Sequence, residues 1–316
     1  MPDLDPARLV QARELAGLSR RGLAELVGVS ATQLCRYEAG ASHPSPDVVR
    51  GLARTLDVPA AFFRPGRPHV RLPVSRRPAA AAFAEQAWEL AHALEGHVRL
   101  PKVRLPRPAV DTVVAARAVR SLWGLLPGPV AHLVRRLESN GVVVLFGAEP
   151  FATAVPDRPV VVVPRDPDVY GHRFTVAREL GRLLHPDPTE HDLDVFAAEF
   201  LTPRAAITPE LPDRVDLDRL GELRAVWGVP VLALVRRARE LGVLSDAAGT
   251  RGLRRLKITE LSPEPVTGYP GERPALLGRA FGMSGLTAQA LAAELGWRVS
   301  HVRSMLGIER PLLKLV

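Results

Sequence analysis

Residues 173–184 read RFTVARELGRLL, so Arg178 and Arg182 stand four positions apart and Glu179 follows the first of them. On an α-helix such residues share a face. Histidine at both positions would offer two neutral imidazole nitrogens to a zinc ion, and the glutamate between them would activate the metal-bound water. A guanidinium stays protonated at any working pH and has no lone pair for a metal. Of that set only Glu179 remains, and a single carboxylate does not make a tetrahedral zinc site. The residue types therefore argue against zinc-dependent proteolysis. A rearranged site using His185, His191 and Glu190 is the alternative. Two guanidinium groups bring the same +2 that zinc would bring, so Arg178 and Arg182 are expected to pair with one or both glutamates. Two readings stand: an ion-pair network that only holds structure, or one whose spare donors bind a carboxylate, a phosphate or an acyl-CoA head group.

A second set of residues points to DNA. Residues 17–58 read GLSRRGLAELVGVSATQLCRYEAGASHPSPDVVRGLARTLDV. Ser19, Ser30 and Ser45 precede apolar-periodic runs, and Gly17, Gly28 and Gly40 end them; serine hydroxyls accept orphan N–H groups at helix starts, and glycine closes helices in the left-handed conformation. With Gly17-Leu18-Ser19, Leu23-Ala24, Gly28-Val29-Ser30, Tyr37-Glu38, Gly40 and Pro44-Ser45 at that family's spacing, the stretch resembles the Cro/CI (XRE-type) helix-turn-helix domain over roughly residues 5–64. The resemblance implies a five-helix DNA-binding domain whose second paired helix lies in the major groove, beginning near Ser30. Thr32, Gln33 and Arg36 are its outward positions by helical geometry; Gln33 suits adenine, and Arg36 suits guanine or phosphate. Ser19 and Arg20 match positions that touch phosphate in the family. Cys35, within the same helix, is expected to be a small semi-buried residue.

Residues 65–109 hold two Pro/Arg segments around one alanine-rich helical stretch, which suggests a basic linker. From residue 110 two helical patterns lead to the valine-rich strands VVVLF and PVVVVP, then to the arginine-bearing helix and further helices. RAVRSLWGLLPGPVAHLVRRLESNGVVV, HRFTVARELGRLLH and EHDLDVFAAEFLTP, in that order, resemble the ImmA/IrrE-type metallopeptidase domain over about residues 110–250. Phe196, Ala197, Phe200, Leu201 and Pro203 reproduce a signature of that family, and Glu190 matches its third zinc ligand. Arg178 and Arg182 depart from it at the other two, which implies a degenerate, metal-free domain. Arg236, Arg237 and Arg239 form a charge run expected to be solvated. Residues 251–316 read as a C-terminal helical extension. Its LTAQALAAELGWRVSHVRSML has the outline of a second helix-turn-helix, but Trp297 and a missing cap-turn pattern favour a packing or dimer element.

Composition sets the frame. The 316 residues allow about two domains, and the net charge of +8 favours polyanionic partners, nucleic acid first. No apolar run is long enough to span a membrane, and MPDLDPARLV lacks the charge and apolar pattern of a signal peptide. One cysteine excludes an internal disulfide and any multi-cysteine metal site, as suits a reducing cytoplasm. The expected architecture is mainly α: the five-helix domain (1–64), the linker (65–109), an α+β zincin-like domain with a small sheet (110–250) and the helical extension (251–316). The expected function is sequence-specific transcriptional regulation in the cytoplasm. It would involve a palindromic double-stranded operator, a homodimer and a small anionic effector, with no membrane, cofactor or enzymatic activity. Two alternatives stay open: a metallopeptidase with a non-standard site cleaving a partner repressor, and an antitoxin-like protein-binding regulator.

Overall fold

The structure, a computed structural model, describes residues 4–73, 75–154, 158–256 and 262–308. It divides into two compact units, one of Met1–Leu100 with Ala275–Val316 and one of Pro101–Pro274. Parts of the expected C-terminal extension, residues 257–261 and 309–316, lie outside the described residues.

Unit 1 opens with α1 (Pro6–Leu15), α2 (Arg20–Val27), α3 (Ala31–Glu38) and α4 (Pro46–Thr55), followed by a 3-10 turn at Ala60–Phe63 and α5 (Pro78–Glu95). Asp5, Ser19, Ser30 and Ser45 each accept a backbone N–H from the first turn of the helix they precede. Leu9, Leu23, Leu34, Leu52, Phe62 and Phe63 are buried and belong to its core. The described residues 4–64 thus hold four α-helices and a short turn where five helices were expected. Pro59 precedes that turn, and Pro65 drives Arg64 into extended backbone, so the apolar residues between them cannot grow into a helix.

The chain then builds unit 2 from α6 (Thr112–Leu122), α7 (Leu133–Ser139), β1 (Val143–Phe146), β2 (Phe151–Thr153), β3 (Val160–Val163), α8 (Val169–Leu183) and α9 (Glu190–Leu201). Further α-helices among the described residues of this unit are α10 (Arg204–Ile207), α11 (Leu217–Trp227), α12 (Val231–Glu240) and α13 (Asp246–Leu256). The sheet order is β1-β3-β2, with β1 and β3 parallel and β2 antiparallel to β3. Sequence patterning shows β1 and β3, whose residues are nearly all buried, and misses the half-buried β2, too short to display an alternation. The core of this unit gathers Val144, Val161, Val176, Leu180, Phe196, Phe200, Leu234 and their neighbours between the sheet and the helices.

Unit 1 also contains α14 (Leu276–Ser284), α15 (Ala288–Leu295) and α16 (Val299–Met305). The pair α15–α16 repeats the geometry of α2–α3. Thr287 accepts from the Ala290 amide at 3.1 Å, Gly296 closes α15 at φ +65°, and the Trp297 amide reaches the Ala292 carbonyl at 2.9 Å. In α2 the matching features are Ser19 on the Gly22 amide at 3.0 Å, Gly28 at φ +76° and the Val29 amide on the Ala24 carbonyl at 3.0 Å. The cap and turn of the first helix are therefore present, with threonine in place of serine, whereas Arg298 gives α16 no side-chain cap where Ser30 caps α3.

The segment expected to be a linker packs instead. Ala82, Ala84, Ala87 and Ala91 of α5 are fully buried, and their small side chains let α1, α14 and α15 approach that helix. Arg8 and Glu89 form an ion pair with both side chains only 1% exposed, joined by Gln11, whose amide donates to Glu89 at 2.8 Å. Arg71 bridges Glu85 at 2.8 Å and Glu14 at 3.2 Å. Residues 101–109 are bound into unit 2, where the Arg104 amide donates to the Asn140 carbonyl at 3.0 Å and Ala109 to Leu184 at 2.8 Å. Prolines keep these stretches out of helices, but their arginines and backbone find fixed partners.

Candidate functional site

The exposed face of the helix-turn-helix pair is set by its caps. Ser30 accepts the Gln33 amide at 3.0 Å and so fixes the first turn of α3. Leu34, Tyr37 and Glu38 then turn inward, which leaves Thr32 and Arg36 exposed and Gln33 half-buried. The Gln33 amide nitrogen donates to Ser42 Oγ at 3.1 Å, which orients the side chain beside the outer face. Cys35 is exposed on this face rather than semi-buried, because one position beyond the inward Leu34 the helix has already turned toward solvent. Ser19 and Arg20 start α2, with the Ser19 hydroxyl engaged as a cap.

Behind them, Glu38 is the organising group. Its carboxylate is nearly buried, accepts from Arg13 at 2.5 Å and pairs with Arg20 at 2.6 Å. That hydrogen bond and the Glu38 charge raise the Arg20 pKa further, so this exposed guanidinium is a fixed positive charge at the helix start. In the sequence Glu38 stands out only as a motif residue; its role as the anchor of Arg13 and Arg20 depends on α1, α2 and α3 meeting. Ser42 was missed as the partner of Gln33, since it lies in the irregular stretch before α4.

The arginine–glutamate set of unit 2 also comes together. α8 and α9 cross closely at Gly181, where an added Cβ would lie 2.8 Å from the Phe196 ring. Thr189 and Asp192 form a reciprocal capping box that fixes the start of α9 and brings Glu190 toward α8. Glu179 is 1% exposed and accepts from Arg182 at 3.0 and 3.3 Å. Arg178 donates to Glu190 at 2.5 Å, and Arg182 lies 3.5 Å from the other Glu190 oxygen. Arg178 Nε sits 2.9 Å from Asp194, an ion-pair contact out of line for a hydrogen bond. Arg236 reaches the second Asp194 oxygen at 3.4 Å.

Partial burial alone would raise the Glu190 carboxyl. The Arg178 hydrogen bond and the charges of Arg178 and Arg182 outweigh it and hold that carboxyl below its ordinary range. Asp194 was overlooked in the sequence, although it stands one helical turn from Glu190 on the same face of α9. Three cations, Arg178, Arg182 and Arg236, thus face three carboxylates, Glu179, Glu190 and Asp194, in these ion pairs among the described residues. The group is balanced in charge, and these donors do not fit a metal.

His185, His191 and Glu190 do not form a substitute ligand set. Among the described residues no three His, Cys, Asp or Glu side chains gather as a metal-holding group. α8 ends at Leu183, so His185 lies beyond it, and its Nδ1 accepts from the Asp187 amide at 3.1 Å. Arg237, expected on a solvated face, is instead 2% exposed, paired with Glu199 and donating to the Thr202 carbonyl at 3.2 Å. Arg239, by contrast, pairs with the exposed Asp246 at 2.8 Å.

Comparison with known proteins places one part of the chain. Residues 7–62 match the family model of a helix-turn-helix domain. No curated protein matches the sequence, and no solved structure matches the fold. No helix among the described residues is long and apolar enough to cross a membrane.

Proposed function

We propose that this chain is a sequence-specific transcriptional regulator of the XRE type, acting in the cytoplasm as a homodimer on a two-fold symmetric operator. The observation that carries the reading is the helix-turn-helix match over residues 7–62, with a capped α3 that leaves Thr32 and Arg36 exposed and Gln33 beside them. In this reading α3 enters the major groove by its N-terminal turn. The Gln33 amide, steadied by Ser42, pairs with adenine N6 and N7, while Arg36 reads guanine or grips phosphate. Ser19 and Arg20 meet the phosphates flanking α2, with Arg20 held through its Nε by Glu38.

Unit 2 is, in the same proposal, a degenerate ImmA/IrrE-like domain without catalysis that senses a signal or holds the dimer. The balance of three cations against three carboxylates supports the ion-pair network over an anion site, since no net positive charge is left to attract a ligand. Selection of duplexes from a random pool by the full chain tests the regulator. One enriched palindromic sequence is expected. Gln33→Ala should then cost about 1–3 kcal/mol of discrimination at a single base position. Arg20→Ala should weaken all sequences alike and lower the salt slope by about one. Failure to enrich any sequence would sink the reading, and stoichiometric zinc in protein purified without chelators would overturn its non-catalytic part.

A further inference from the structure

Unit 1 contains a cavity of about 420 Å³, within the size range of small-molecule sites. One wall belongs to the helix-turn-helix domain: Leu15 at the end of α1, Leu56 after α4, and Phe62 of the 3-10 turn. The cavity is also lined by Trp297, in the turn after α15, by His301 in the first turn of α16, and by Gln86 of α5. Ala16 and Ser300 stand exposed at its edge.

The chemistry of the walls selects the occupant. The charged groups at the cavity, Asp57 and Arg298, neutralise each other in an ion pair of 2.7 Å. His301 donates through Nε2 to the Gln86 side-chain oxygen at 2.7 Å, and burial lowers its pKa, so it stays uncharged near neutrality. Nothing here repays the desolvation of an ion. Leu15, Leu56, Phe62 and the indole of Trp297 offer apolar surface instead. The Trp297 Nε1–H is buried and has no acceptor among the described residues, an uncommon state for a buried donor.

We infer that this cavity binds an uncharged, largely apolar small molecule carrying a hydrogen-bond acceptor such as a carbonyl. Its occupant touches α1 and the 3-10 turn together with the C-terminal repeat, so it acts as an effector of the helix-turn-helix domain. That second part rests on the DNA-binding reading; the binding itself does not. The α15–α16 pair accordingly serves as a cavity wall, because Arg298 and His301 at the start of its second helix are committed to Asp57 and Gln86 rather than to a groove.

Prodan, a neutral naphthyl ketone, is the probe. Titrated into the full chain, it is expected to bind one-to-one, with blue-shifted emission and partial quenching of tryptophan fluorescence. Ala16→Trp and Ser300→Trp, which add bulk at the edge, should each weaken binding by about tenfold or more without lowering the melting temperature. Val226→Trp, on an exposed position of unit 2, should leave it unchanged. Absence of saturable binding, equal binding by both edge variants, or tighter binding of the anionic 8-anilino-1-naphthalenesulfonate would overturn the site. Saturating prodan should shift affinity for the selected duplex by about fivefold. An unshifted affinity with intact prodan binding would overturn the effector role alone, and failure to select any duplex would leave the prodan titration standing.

Discussion

At the scale of single residues, Arg182 and Arg178 differ in what they hold. Arg182 donates twice to a carboxylate that is 1% exposed, whereas Arg178 reaches Glu190, whose side chain is 66% exposed. Removing one partner of a buried ion pair costs about 3–5 kcal/mol, and exposed pairs contribute about 0–1 kcal/mol. Arg182→Ala, whose guanidinium is itself partly exposed, is therefore expected to lower stability by about 3 kcal/mol, and Arg178→Ala by less. Urea unfolding of the two single variants and the double variant measures this. An unchanged midpoint in the double variant would exclude a structural network and return weight to an anion site. The four-residue spacing made the shared face of Arg178 and Arg182 legible, while Glu190 entered only through the resemblance to the peptidase family. Asp194 and Arg236 completed the group only when α9 and α12 were brought beside α8.

At the scale of elements, the two helix-turn-helix outlines share a left-handed glycine but differ in what surrounds it. Gly28 has open space where a Cβ would go, while a Cβ on Gly296 would lie 2.8 Å from the Ala61 carbonyl oxygen. Backbone strain alone makes Gly28→Ala cost about 1–2 kcal/mol. Gly296→Ala should cost more, since the 3-10 turn must shift as well. Thermal melts of both variants decide the order; equal losses would mean that the C-terminal repeat does not pack against that turn in solution. α5 illustrates the complementary case. Its alanines give it no amphipathic stripe to mark it as a core helix, yet close approach by α1, α14 and α15 depends on their small size. Helical propensity was readable in it. Its burial was not.

At the scale of the whole molecule, each unit encloses a neutral histidine. Burial pushes the pKa of His172 and of His301 below the ordinary 6.5. In both, the unfolded chain takes up a proton near 6.5 that the folded chain refuses. Stability is therefore complete above that pH and is lost as pH falls from 6.5 toward the lowered folded values. Glu85 works in the opposite sense. Its burial raises the carboxyl pKa, so its contribution falls as pH rises from 4.5 to that raised value. The melting temperature is expected to drop between pH 7.5 and 5.5, and His172→Gln should flatten part of that drop while keeping a donor for the Glu272 carbonyl, now at 2.9 Å. A melting temperature that rises over this interval, or a slope that His172→Gln leaves untouched, would contradict the assignment.

What the sequence determined by itself was local. Serine caps, glycine stops and apolar spacing specified α1–α4, and the family model finds its match over the same stretch, because each of those signals acts within one or two helical turns. Helical geometry likewise oriented Thr32 and Arg36, and residue chemistry excluded arginine as a zinc ligand. Tertiary structure decided what depends on residues far apart in the chain. The supposed linker became core when Arg8 met Glu89, Arg237 found Glu199 inside unit 2, β2 took its place only through β3, and the cavity exists because Trp297 and His301 return beside α1. A charge or a proline reads the same in sequence whether solvent or a distant carboxylate awaits it, and only packing supplies the partner.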